Sequence, residues 1–327
     1  MSRSAFLSAG GDVFLADFTA TLWNKYWRDE IDTFYIGYNN HAEVPVSVAH
    51  EFVRKWEKDP KVRIIYTPHG IGNGNPITQM LLNSKEDSLL LLEDDSYIYT
   101  PDIVNTWFTV VEKNMDLVIG SPRYSVGEVS EAAKRKYVLD YSGVGDKGFG
   151  WWPSFFLCKR TDLLKTDLDF GSKKYPKGQY LKELDHEMEN DDYTDTFTWT
   201  SIQLRYQGLT EFPIPQNHAH PYDLQNVSNK EGMFANGDPK YMHGGSLSSG
   251  WGGYLNKKVP PVDTDMQKQD IETRVAFWSI VSDVEGSYDY SFKSVYKKAI
   301  ENLIMDAQLN RTRIDNKIQL YKRLIHI

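Results

Sequence analysis

Leu89-Leu90-Leu91-Leu92 runs directly into Glu93-Asp94-Asp95, and this junction constrains the fold more tightly than any other stretch of the chain. Consecutive leucines without polar alternation, in a segment too short for a helix, read as a strand over Ser88 to Leu92 that is buried on both faces. Strands of that kind belong to parallel sheets covered by helices. Acids at the carboxyl end of such a strand face the crevice in which open α/β sheets bind ligands.

The neighbouring sequence agrees. Strand patterns over Ser4 to Ala9, Thr33 to Tyr38 and Lys61 to Tyr66 alternate with helical ones over Val13 to Trp27 and Val46 to Glu57. The turn His69 to Pro76, rich in glycine, precedes a helix through Leu82. Further strands are expected over Leu117 to Gly120 and Trp152 to Cys158, and a helix over Thr194 to Gln207 that ends at Gly208. Asn226 to Gly253, rich in Gly, Ser and Asn, reads as a long loop. From Met266 onward the spacing predicts two or three helices that pack on the main body or on a partner.

Composition excludes several classes. With 327 residues, 40% of them hydrophobic, the chain can support a large core, yet no run approaches the roughly 18 apolar residues of a membrane span. The start of the chain lacks the apolar middle of a secretory signal, and the lone Cys158 cannot form an internal disulfide, so a cytoplasmic protein is expected. A net charge of −8 argues against a generally basic nucleic-acid surface. Lys134-Arg135-Lys136 and Lys322-Arg323 are short basic runs of the kind found on solvated faces.

In an extended segment Glu93 and Asp95 point to one side and Asp94 to the other. Two such oxygen donors, together with diphosphate oxygens, suit Mg²⁺ or Mn²⁺; the competing reading is a solvated turn. A dinucleotide fingerprint is considered at Gly70, Gly72 and Gly74, but position 75 is Asn and the spacing fails. There is no P-loop.

Leu89 to Asp95, followed by Tyr99-Thr100-Pro101-Asp102, resembles the metal-binding segment of nucleotide-sugar glycosyltransferases of the GT-A fold, closest to the inverting family 2 enzymes. The resemblance extends over roughly residues 4 to 220. Asn73-Gly74-Asn75 is similar to that family's loop near the nucleotide, and Gly148-Phe149-Gly150-Trp151-Trp152 to its acceptor-side loop. Asp195 through Leu204-Arg205-Tyr206-Gln207-Gly208 resembles its acidic segment and helix end, while His218, His220 and His243 resemble its late histidine. The departures are Glu93 in place of Asp, one extra residue before Pro101, the acidic pair blurred into Glu189-Asn190-Asp191-Asp192, and Asn39-Asn40 where an acid often reads the nucleobase.

The resemblance implies a GT-A-like, mostly parallel mixed sheet flanked by helices. It divides the chain into a nucleotide-sugar-binding half (1–120), an acceptor-binding half (121–225), a loop or lid (226–260) and a helical extension (261–327). It implies a metal-dependent, inverting transfer from a nucleotide sugar, with UDP-sugar the expected donor. Asp95 is the leading metal ligand, Glu93 assists, and His218, His220 or His243 completes the set. The proton-accepting carboxylate comes from Glu187, Glu189, Asp191, Asp192 and Asp195, led by Asp192 and Asp195. Asn39, Gly70, Asn73 and Asp94 fall around the donor, and Trp151 and Trp152 are either a stacking platform or core. The acceptor stays open among glycan, lipid-linked glycan, protein and a modified base in DNA, as does the alternative of a non-catalytic carbohydrate-binding or nucleotide-binding protein. These motifs do not encode oligomeric state.

Overall fold

The computed structural model describes residues 1–9, 13–39, 46–67, 74–123, 127–137, 150–213, 234–235, 238–239, 241–243, 264–283 and 292–324. Through the first half run β1 (Arg3–Ala9), α1 (Val13–Leu22), β2 (Thr33–Asn39), α2 (Val46–Trp56), β3 (Val62–Thr67), α3 (Gly74–Asn83), β4 (Ser88–Glu93), β5 (Ser96–Ile98), α4 (Pro101–Lys113) and β6 (Leu117–Arg123). There follow α5 (Glu128–Lys136), β7 (Gly150–Lys159), α6 (Arg160–Leu163), β8 (Lys173–Tyr175), β9 (Tyr180–Leu181), β10 (His186–Glu187), β11 (Asp192–Thr194), α7 (Thr198–Tyr206) and β12 (Thr210–Pro213). The remainder comprises β13 (Phe234–Ala235), β14 (Asp238–Pro239), β15 (Tyr241–His243), α8 (Asp265–Asp283), α9 (Phe292–Asp306) and α10 (Arg311–Leu324).

Seven strands form one sheet in the order β12-β6-β7-β4-β1-β2-β3. Only β7 runs against its neighbours in this sheet; the pairs β1–β2, β1–β4, β2–β3 and β12–β6 are parallel. The fold is therefore the mixed, mostly parallel α/β sheet with flanking helices that the strand pattern predicts.

The leucine run of β4 serves two cores at once. Leu90 and Leu92 enter the cluster built with α1, α2, α4 and the C-terminal helices, whereas Leu89 and Leu91 enter the one with Ile77, Met80 and Leu81 of α3 and Leu204 of α7. Alternation along a strand requires this split, and burying each leucine contributes about 1.5–3 kcal/mol.

Two helical predictions shift. The segment after Leu22 widens into a π-helical turn, Trp23–Trp27, in which both indoles lie on Phe34. The helix expected from Thr194 starts at Thr198, because Asp192–Thr194 is taken into pairing with β8. The C-terminal helices lie on the main body. Phe277 of α8 stacks on Tyr97 of β5 at 4.9 Å and meets Phe18 of α1 edge-on. Among the described residues no helix is long and apolar enough to cross a membrane.

Candidate functional site

β4 ends at Glu93, and Asp94 and Asp95 form a turn before β5 begins. The side-to-side alternation expected over the three acids therefore stops after the first, since a turn replaces the extended backbone that alternation needs. Glu93 is half-buried, while Asp94 and Asp95 are only 4% and 3% exposed. The turn is held from below: the Thr19 hydroxyl of α1 donates to the carbonyl oxygens of Asp94, at 2.8 Å, and Ser96. Glu93 N–H donates to the Ser96 hydroxyl at 3.1 Å. Nothing in the sequence singles out Thr19, because a threonine in an apolar helix carries no local sign of a distant partner.

On its outer edge β5 pairs antiparallel with β15, setting His243 opposite Ser96. One of the three candidate histidines thus lies, by its backbone, beside the residue that follows Asp95. His218 and His220 lie outside the described residues, as do Gly70 and Asn73. Asn39 closes β2 at the same carboxyl edge of the sheet, where it pairs with Thr67. Carboxylate oxygens are the kind of donor that Mn²⁺ and Mg²⁺ take, but among the described residues no group of three or more His, Cys, Asp or Glu side chains comes together to hold a metal ion.

The second acidic cluster is arranged differently. Asp192 accepts a hydrogen bond from Val129 N–H at 2.8 Å, so a carboxylate from β11 covers the N-terminus of α5. Gly127 precedes that helix at φ +109°, and a Cβ there would lie 2.6 Å from the Asp192 carboxylate, so both conformation and space demand glycine. Glu128 reaches back the other way. Its carboxylate accepts from the N–H groups of Glu189 and Asn190 and lies 2.8 Å from His186 Nε2. The Glu189 N–H bond leads the forces that hold its carboxyl well below the usual range, at about 2.

Asp195 is exposed in the turn ahead of α7, where one of its oxygens accepts from Thr196 N–H at 2.7 Å. That turn is tied inward, because Phe197 N–H donates to Phe170 O and Gly171 packs against Gly74 at the start of α3. These contacts tie the segment just after Asp195 to the start of α3.

No family model matches the chain, and no curated protein matches it. Resemblance is found to solved structures alone. Glucosyl-3-phosphoglycerate synthase from Mycobacterium tuberculosis, in complex with Mn²⁺ and uridine-diphosphate-glucose, is 12% identical over 50% of this chain and 58% of that one, with a TM-score of 0.33. The same enzyme with uridine-diphosphate gives 13% and 0.35 over the same shares. 4-Diphosphocytidyl-2C-methyl-D-erythritolsynthase from Anaerococcus prevotii DSM 20548 is 10% identical over 50% of this chain and 73% of that one, with a TM-score of 0.33. The chain spans little more than half of the mycobacterial structures. Likeness at this level assigns neither substrate nor residue to this chain.

Of the aromatic pair, Trp151 belongs to the core. It is fully buried, it fills the space over Gly120, and the Arg205 guanidinium lies 4.6 Å above its ring. Buried under Arg205 and against Gly120, the indole is part of the packed interior. The backbone of Trp152 lies in β7, and its side chain is outside the described residues.

Proposed function

We propose that this chain is a metal-dependent glycosyltransferase that moves a sugar from a nucleotide-sugar donor, a UDP-sugar, to a hydroxyl acceptor with inversion. The observation that carries the reading is the place of Asp94 and Asp95 directly after the carboxyl end of a central parallel strand, the edge at which open α/β sheets bind their ligands.

In this reading Asp95, assisted by Glu93, holds the cation against the donor diphosphate, and His243 is the preferred histidine because β15 sets it beside the acid turn. A bound divalent cation supplies neutralisation of the charge that develops on the leaving diphosphate. Asp195 accepts the proton of the acceptor hydroxyl. It is exposed, and the segment just after it is tied to the start of α3, whereas Asp192 is committed to the start of α5. We assign Asn39, Gly70, Asn73 and Asp94 to binding of the donor. The internal location of Trp151 leaves it a packing role.

Titration of the full chain with UDP-glucose, with Mn²⁺ and then with chelator, tests the proposal. Binding should require the metal and fall at least about 10²-fold in Asp95→Asn, the scale on which loss of one charge-stabilising group acts. Equal donor affinity in the presence of chelator would remove the metal from the site.

A further inference from the structure

Beside the start of α5, β8 and β11 border an open cavity of about 510 Å³ lined by Lys174, Tyr175, Pro176, Asp191, Asp192 and Tyr193. Its size falls within the range of small-molecule sites. The register of the two strands sets Tyr193 directly opposite Lys174, and Asp192 opposite Tyr175. Alternation then separates the pairs: Tyr175 is buried against Trp199, while Tyr193 and Lys174 face outward. Tyr193 is 54% exposed.

The chemistry of this lining selects among ligands. On the outward side the Asp191 carboxylate offsets the Lys174 ammonium, so a phosphate-bearing ligand meets no net positive charge. Asp191 uses one oxygen on Lys177 N–H, which leaves its second oxygen able to accept from a hydroxyl, while Asp192 is held by Val129 N–H. Lys174 supplies a donor, and the ring of Tyr193 presents an apolar face against which the C–H side of a sugar can lie.

We infer that this cavity is an acceptor subsite for a neutral saccharide, with Tyr193 as its stacking wall and Lys174 and Asp191 as its hydroxyl partners. The inference rests on the transferase reading and narrows it, since it places the acceptor among uncharged glycans rather than phosphate-bearing polymers.

The test titrates the full chain with maltotriose, cellotriose and triacetylchitotriose, and in parallel with a thymidine oligonucleotide. At least one trisaccharide should bind. Tyr193→Ala should weaken it about tenfold, as expected for one lost stacking surface, while Tyr206→Ala, an exposed tyrosine outside the cavity, should leave it unchanged. UDP-glucose binding with Mn²⁺ should be the same in Tyr193→Ala as in the unaltered chain. The inference is overturned by unchanged saccharide affinity in Tyr193→Ala, by failure of all three saccharides to bind, or by preferential binding of the oligonucleotide. Saccharide binding that depends on Tyr193 in a chain that binds no UDP-glucose would keep the subsite and dismiss the transferase. Donor binding without saccharide binding would do the reverse.

Discussion

The protein carries two acidic clusters, and their carboxylates live under opposite conditions. At the end of β4, Asp94 and Asp95 are buried and their turn is fastened to α1, whereas around β10 and β11 Glu187, Glu189, Asp191 and Asp195 are exposed. Asp192 in that second group is half-buried and works as a helix cap. The contrast shows that the number of acids in a segment says little about their use. Exposed acids cost nothing to keep and serve whatever backbone N–H groups lie near, as Asp191 serves Lys177 and Asp192 serves α5. Buried acids persist only where something repays their desolvation.

The sharpest way to break this contrast is at Asp195, the member of the exposed cluster assigned the proton transfer. Asp195→Asn should lower transfer about 10²–10⁴-fold, the usual contribution of a positioned base, while donor affinity stays unchanged. Single-turnover rates alongside calorimetric titration separate the two effects. A comparable loss in Asp192→Asn would move the role to its neighbour.

Thr19→Val probes the buried cluster without altering a carboxylate. It removes the one hydroxyl proton that the carbonyl oxygens of Asp94 and Ser96 share, and should cost about 1–3 kcal/mol in denaturant unfolding. Donor affinity should fall with it, because the turn loses its anchor. Unchanged affinity in a destabilised variant would separate the turn from the site.

Asp192→Ala should be milder, about 1 kcal/mol, as for loss of a helix cap, and its effect should be confined to α5 as read by amide exchange.

The smallest effect concerns Glu128, whose carboxyl is held at about 2 chiefly by the Glu189 N–H bond. A carboxylate pKa depressed on folding stabilises the fold above its unfolded value and withdraws that support as pH falls toward the folded one. Between about pH 4.5 and 2 the amides of Glu189, Asn190 and early α5 should therefore exchange faster, and Glu128→Gln should flatten this dependence.

Much of the framework is legible in the chain itself. The strand over Ser88 to Leu92 was encoded by four leucines that two cores divide between them, and the alternation of the first hundred residues carried the parallel sheet. Position 39 and the acids at 93 to 95 likewise fall at strand ends, which strand length alone sets.

What local pattern left open was every partnership between distant segments. Hydrophobic periodicity reports which way a residue faces, and says nothing of which residue it meets. Only tertiary structure set β15 against β5, and so singled out the segment of His243 within what reads as a loop. Packing alone turned Trp151 inward onto Gly120 and under Arg205. Spatial neighbourhood likewise gave Asp192 to the start of α5, because the first turn of a helix leaves N–H groups that accept whichever carboxylate the fold brings within reach.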